Sequence, residues 1–181
     1  YGETNEGREL MLAFIASPEN LKKLDAIRIN NLRLAGLTGN KAAPVTETAP
    51  AIVWLSYNVH GNETSSSEAA LLTLFALVDP NNAQTKEWLQ NTVVIIDPCI
   101  NPDGRDRYVN WFNGVVGKEY NPDPSSREHA ELWPGGRTNH YNFDLNRDWA
   151  WQTQVESQQR MIKYNQWKPQ VHVDFHEQGI N

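Results

Sequence analysis

His60 and Glu63 stand three residues apart in His60-Gly61-Asn62-Glu63, where one apolar run ends and another begins. At a strand-to-helix junction this spacing can bring an imidazole nitrogen and a carboxylate oxygen to within about 2 Å of one metal ion. Gly61 between them allows a sharp backbone path. Two ligands do not close a site. A third must arrive from elsewhere, and an open fourth position is what separates a catalytic zinc from a structural one. His176 closes the alternating segment Gln170 to His176, the strand-end position at which α/β folds place ligand-contacting residues. Two further polar groups stand out: the cluster Asp144, Asn146, Arg147 and Asp148, and the turn Asn101-Pro102-Asp103-Gly104 at a third strand end.

These residues need elements to deliver them. Leu10 to Ala16 is almost wholly apolar and reads as a strand stopped by Ser17-Pro18. Pro18 suits an early helical position, and Leu21, Leu24, Ile27, Leu32 and Leu34 form a loose apolar face up to Gly36 or Gly39. A polar connection, Asn40 to Pro50, leads into the buried-looking strand Ala51 to Tyr57. Ser65 and Glu68 have capping-box spacing before an apolar helix carrying Ala69, Leu71, Leu72, Leu74, Phe75 and Val78. Thr85 to Asn91 reads as a short helix or turn, and Thr92 to Asp97 as a β-branched strand.

Residues 104–143 show no lasting period and read as an ordered excursion on the rim of the site. Trp111, Phe112, Tyr120, Trp133, Tyr141 and Phe143 are its expected anchors. Gln152 to Trp167 is helical in composition, with Val155, Met161, Ile162 and Tyr164 inward. The last strand sets Val171, Val173 and Phe175 on one face and His172, Asp174 and His176 on the other. Strand, helix, strand at this spacing predicts an α/β fold, a mixed and largely parallel central sheet flanked by helices.

The 181 residues suit one such domain or part of a larger one. A net charge of −6 with both signs interspersed argues against nucleic acid or an anionic membrane as partner. No apolar run approaches the roughly 20 residues of a membrane span. The single cysteine, Cys99, excludes an internal disulfide and reads as an inert core thiol. The start at Tyr1, without a signal-peptide pattern, fits a processed or trimmed product.

Taken in order, four motifs resemble the zinc carboxypeptidase family, as a divergent bacterial-type member. His60-Gly61-Asn62-Glu63 is similar to its first two zinc ligands, Asn101-Pro102-Asp103-Gly104 to its characteristic turn, and Asp144-Leu145-Asn146-Arg147 to its substrate-carboxylate motif. His176, in Val173-Asp174-Phe175-His176, is similar to its third zinc ligand, and Gly7-Arg8-Glu9-Leu10 to its usual start. The resemblance spans essentially the whole chain. It implies that residues 1–181 form part of a carboxypeptidase-like catalytic domain, truncated before the C-terminal strands and the general-base segment.

It further implies one Zn2+ ion on His60, Glu63 and His176, with Asn146 and Arg147 holding the terminal carboxylate of a peptide or peptide-like substrate. Asp144 would accept a hydrogen bond from the second nitrogen of His60. Arg137, beside Gly135 and Gly136, is the preferred oxyanion stabiliser over Arg105 and Arg107. His172 is expected as a core histidine or one supporting a ligand, and His129 and His140 as ordinary loop histidines.

The implied reaction is hydrolysis of a C-terminal peptide bond by a metal-activated water. The family's base is a glutamate downstream of the third zinc ligand, in a segment this chain does not contain. Glu177 is a poor substitute, since neighbours on an extended strand point to opposite faces. Glu177-Gln178-Gly179 also replaces the family's usual serine-aromatic pair. Two alternatives stay open: a zinc amidase or deacylase on a non-protein, carboxylate-bearing substrate, and a non-catalytic zinc- or peptide-binding module. The resemblance favours a secreted or periplasmic location.

Overall fold

A computed structural model describes residues 1–39, 43–46 and 49–178. Parts of the expected Asn40 to Pro50 connection, and Gly179, lie outside the described residues. The element order is β1 (Gly2–Glu3), β2 (Glu9–Leu10), β3 (Ala13–Ile15), α1 (Pro18–Leu21), α2 (Leu24–Leu34), β4 (Ala51–Tyr57), α3 (Ser65–Val78) and α4 (Ala83–Gln90). It continues with β5 (Thr92–Asp97), α5 (Pro102–Val115), α6 (Val155–Trp167) and β6 (Val171–Phe175).

β1 and β2 form a small antiparallel pair, so the single strand expected over Leu10 to Ala16 is two elements. The main sheet has the order β3-β5-β4-β6. β3 runs antiparallel to β5, whereas β4 is parallel to both β5 and β6, giving the mixed, largely parallel α/β sheet. Its register pairs Ser56 with Asp97 and Tyr57 with Phe175. The three parallel strands therefore end level, and whatever follows each of them gathers at one edge.

Alternation along the strands builds two cores. Ile52, Trp54, Val93 and Ile95 pack on one face with Ile27 of α2 and Trp167 of α6. On the other face Ile15, Tyr57, Val94 and Ile96 meet Ala70 of α3 and Leu89 of α4. Asn31 joins α2 to α6 by donating to the carbonyls of Trp167 and Lys168, at 2.6 Å each.

Several expectations need correction. The helix read from Pro18 onward is two, α1 and α2, and Gly36 takes a positive φ of 72° just after α2 ends. α3 packs through Ala70, Leu74 and Leu77, leaving Leu71, Leu72, Phe75 and Val78 exposed. Ser65 and Glu68 form no capping box; Glu68 accepts instead from Arg105. The largest difference is α5, a 14-residue helix within the stretch read as irregular. Its start is the supposed tight turn: Asn101 Oδ1 accepts from Gly104 N at 2.9 Å and Pro102 occupies the first turn, both helix-start devices. Of the expected anchors, Tyr120, Trp133 and Tyr141 are exposed, whereas Trp111, Phe112 and Phe143 are half-buried.

On α6, Tyr164 packs against the core as expected and Trp167 is buried in it, but the helix also buries the polar residues Glu156, Ser157 and Arg160 and leaves Ile162 exposed. Arg160 lies 3.9 Å over the Trp149 ring, a stacking that suits a weakly hydrated planar cation. Burial pushes the carboxyl of Asp97, at the end of β5, up to about 7, against the opposing pull of Arg160 and the Tyr1 hydroxyl. β6 is an edge strand, and its apolar side chains Val171, Val173 and Phe175 are exposed. Among the described residues, no helix is long and apolar enough to cross a membrane.

Candidate metal centre

The level ends of β4 and β6 bring His60, Glu63 and His176 together, with one ligand-capable atom from each lying within 4.8 Å of the others. His60 Nδ1 is 2.7 Å from Glu63 Oε1, and His176 Nδ1 is 3.2 Å from Glu63 Oε2. Both imidazoles thus present the same nitrogen to one carboxylate. Two imidazoles and a carboxylate are a donor set of catalytic zinc sites. The spacing fits one ion after side-chain movements of about 1 Å, given zinc-to-ligand distances of about 2 Å.

The loop that carries His60 and Glu63 is held from several sides. Asn58 takes a positive φ of 57° after β4, and its amide donates to the carbonyls of His60 and Glu63 at 2.8 Å each. Gly61 serves close approach rather than an unusual φ. A Cβ there would lie 2.2 Å from both Arg105 N and Gly104 C, and 2.5 Å from Gly136 O. Backbone strands of the β4–α3 loop, the start of α5 and the 136 loop meet at this point. Only a residue without a side chain fits there.

Behind His60, Asp144 Oδ1 lies 3.0 Å from Nε2. Burial pushes the Asp144 carboxyl up, but the Asn146 N–H, His60 and Arg137 together hold it below the usual carboxylate range. Arg137 donates to Asp144 Oδ2 through Nε and Nη2, at 3.2 and 3.1 Å, and its Nη1 is 3.9 Å from Glu63 Oε1. The other two arginines are engaged elsewhere. Arg105 bonds Glu68, and Arg107 donates to the carbonyls of Gly135 and Asn139.

Asn146 and Arg147 lie on a 3-10 turn, Leu145–Arg147, which Asp144 caps through the Asn146 N–H at 2.9 Å. Leu145 is buried beneath it and Arg147 is exposed. Asp148 is structural in its contacts, accepting from Thr153 and Gln154 at the approach to α6. Glu177 donates its N–H to Glu63 Oε2 at 2.9 Å, while its carboxylate accepts from both the N–H and hydroxyl of Ser65. Glu131 is likewise engaged, by Asn62 and the Gly136 N–H.

His172 lies 3.0 Å from the Ser56 hydroxyl, against Trp149 and Tyr164, and burial lowers its pKa. His129 bonds the Asn121 carbonyl and His140 the Glu6 carboxylate. The Cys99 thiol donates to Asn58 Oδ1 at 3.2 Å and is pushed up to about 11 by burial, as an unreactive thiol would be. The sequence pattern gave no role to Asn58 or Asp174. An asparagine directly after a strand, and an acid two positions before a strand-end histidine, were the available signals.

An α/β sheet that offers two histidines and a glutamate from its strand ends, with an acid behind one imidazole and Arg137 on that acid, has a donor set that could hold one metal ion. The profile of the family Peptidase_M14, zinc carboxypeptidase, matches residues 1–173. The chain belongs to the zinc carboxypeptidase family. No curated protein matches it.

Among solved structures, it is similar to a metallo-carboxypeptidase from Burkholderia cenocepacia, with a TM-score of 0.60 and 16% identity over 98% of this chain and 35% of that one. A metallo-carboxypeptidase from Pseudomonas aeruginosa, in complex with (2-guanidinoethylmercapto)succinic acid, matches with a TM-score of 0.56 and 14% identity over 98% and 34%. The carboxypeptidase A from Helicoverpa armigera matches with a TM-score of 0.54 and 14% identity over 98% and 40%. The chain thus spans between a third and two-fifths of the length of these structures.

Proposed function

We propose that this chain is the part of a zinc carboxypeptidase domain that holds the metal and seats the substrate's terminal carboxylate, in a protein that hydrolyses the C-terminal peptide bond of peptides. The convergence of His60, Glu63 and His176 on one point carries the reading. A zinc ion held there supplies a Lewis acid that polarises a carbonyl and makes water a nucleophile near neutral pH.

The other roles belong to side chains. Asp144 accepts from His60 Nε2 and so leaves Nδ1 facing the metal position. Arg137 is steered by Asp144, keeping Nη1 on the Glu63 side, where a guanidinium N–H can meet an oxyanion. The exposed guanidinium of Arg147, next to Asn146, offers the paired donors that a planar carboxylate accepts.

Each described carboxylate around the site already has a partner: Asp144 has His60 and Arg137, Glu131 has Asn62, and Glu177 has Ser65. We therefore assign the base that carries a proton from water to the leaving amine to another segment of the protein. The same engagement favours, as a second reading, a zinc- and peptide-binding module without catalysis.

The test uses the protein that carries this chain, and amino-blocked dipeptides with a free carboxylate beside their amides. The expected result is bound zinc near one equivalent, lost in His176→Ala, and cleavage of the free acids only. Equal cleavage of the amides refutes exopeptidase chemistry in favour of an amidase. Zinc binding without cleavage supports the module. Stoichiometric zinc surviving in His176→Ala refutes the ligand set.

A further inference from the structure

We infer that Asp174 is a positioning residue for the metal centre, holding His176 in the tautomer whose Nδ1 lone pair faces Glu63 and the ion. The inference rests on the metal-binding reading proposed above. Asp174, in β6, and His176, directly after its last residue, are two positions apart, and their side chains meet. Asp174 Oδ2 lies 3.3 Å from His176 Nε2, on the far side of the ring from Glu63, which faces Nδ1 at 3.2 Å.

A neutral imidazole carries one N–H and one lone pair. A carboxylate at Nε2 claims the N–H and leaves the lone pair on Nδ1. His60 shows the same arrangement, with Glu63 at Nδ1 and Asp144 at Nε2. The two histidine ligands therefore have matching supports from different parts of the chain, one from the loop before the 3-10 turn and one from within the sheet. Strand geometry keeps the second in place. The backbone of Asp174 pairs with β4 opposite Ser56, and its side chain is only 22% exposed. Without Asp174 the Nδ1–H form of His176 gains a hydrogen bond to Glu63 Oε2. That proton must leave before a metal can bind.

Removing such a partner typically lowers metal affinity about 10–100-fold. The experiment is a zinc titration against a competing chelator on wild-type protein, Asp174→Ala and Asp174→Asn, with Asp25→Ala as an exposed control. Long-range 1H–15N spectra of the metal-free proteins at about pH 8 report the His176 tautomer, a readout that a merely structural role does not move.

The expected result is a 10–100-fold loss in Asp174→Ala and a smaller one in Asp174→Asn, whose amide oxygen still accepts. The Nε2–H form should dominate in wild type and give way to a mixture in Asp174→Ala. Should Asp174→Ala unfold, the isosteric Asp174→Asn carries the test, and its unchanged affinity and tautomer overturn the inference. Wild-type zinc binding matched by Asp174→Ala within about twofold, with the same tautomer, overturns the inference alone. A wild-type protein that takes up no zinc overturns the metal reading itself, and the inference with it.

Discussion

Replacing Gly61 by alanine adds one methyl group to a residue that is itself no ligand, yet it should disable the site. All three ligands stay in the sequence, and only the backbone between His60 and Glu63 is disturbed. The new Cβ would lie 2.2 Å from Arg105 N and Gly104 C, against an ordinary contact beginning at 3.4 Å, so the backbones must part by about 1.2 Å. Neither obstructing atom is the end of a flexible side chain. Overpacking of this kind costs about 1–3 kcal/mol, or a Tm lower by roughly 2–12 °C in a chain of this size.

The effect on metal is larger, because ligand distances tolerate only about ±0.2 Å. A shift of this size is several times that tolerance. By the cost of comparable misplacements in other sites, zinc affinity should fall on the order of 100-fold. The assay is chelator competition beside thermal unfolding, with Gly114→Ala as control, since a Cβ at Gly114 meets no atom within 4 Å. That control lies in α5, where alanine in place of glycine should gain roughly 0.5–1 kcal/mol and leave zinc affinity unchanged. A Gly61→Ala protein with wild-type zinc affinity and a Tm within about 1 °C of wild type refutes the reasoning.

Trp54 is wholly buried, lies edge-on to Tyr164 at 5.3 Å and donates to the Ser56 hydroxyl, so Trp54→Ala should cost about 3–5 kcal/mol in urea unfolding. A loss below about 1 kcal/mol would show that this face of the sheet is not a packed core. Asp97 bears on pH. Its carboxyl stands at about 7 when folded, against an ordinary 3.8, so between those values the folded chain keeps a proton that the unfolded chain has released. Stability from this group therefore falls as pH rises from about 4 to 7, by at most about 4 kcal/mol. Asp97→Asn, which cannot ionise, should gain on wild type by up to that amount across the same range, measured as the difference in unfolding free energy. A difference that stays flat with pH refutes the assignment.

Local pattern was enough for the parts of this chain whose neighbours in sequence are also their determinants. Ala51 to Tyr57 and Thr92 to Asp97 are apolar runs because both faces of a central parallel strand are covered, and the structure makes them β4 and β5. The mixed α/β sheet followed from their spacing with helices. α5 was hidden because Gly104, Asn110 and Gly114 weaken its helical signal and because Asn101-Pro102-Asp103-Gly104 suits a turn as well as a helix start. The polar part of the inward face of α6 was hidden for a different reason. Periodicity expects apolar residues inside. Arg160 is there because the Trp149 ring, from another part of the chain, stacks on it, and its charge lowers the carboxyl of Asp97 at the end of β5.

The residue types at His60, Glu63 and His176, and their places at strand ends, are properties of the sequence. Their meeting is not. Glu63 and His176 are separated by most of the chain, and only the pairing of Tyr57 with Phe175 sets β4 and β6 level so that one carboxylate faces two imidazoles. A shift of one residue in that register would turn His176 and Asp174 to the other side of the sheet. Sequence thus supplied the donors and the periodicity that makes strands of their neighbours. Tertiary structure decided which donors meet, which acids stand behind them, and why Gly61 must lack a side chain, because each depends on contacts between distant segments.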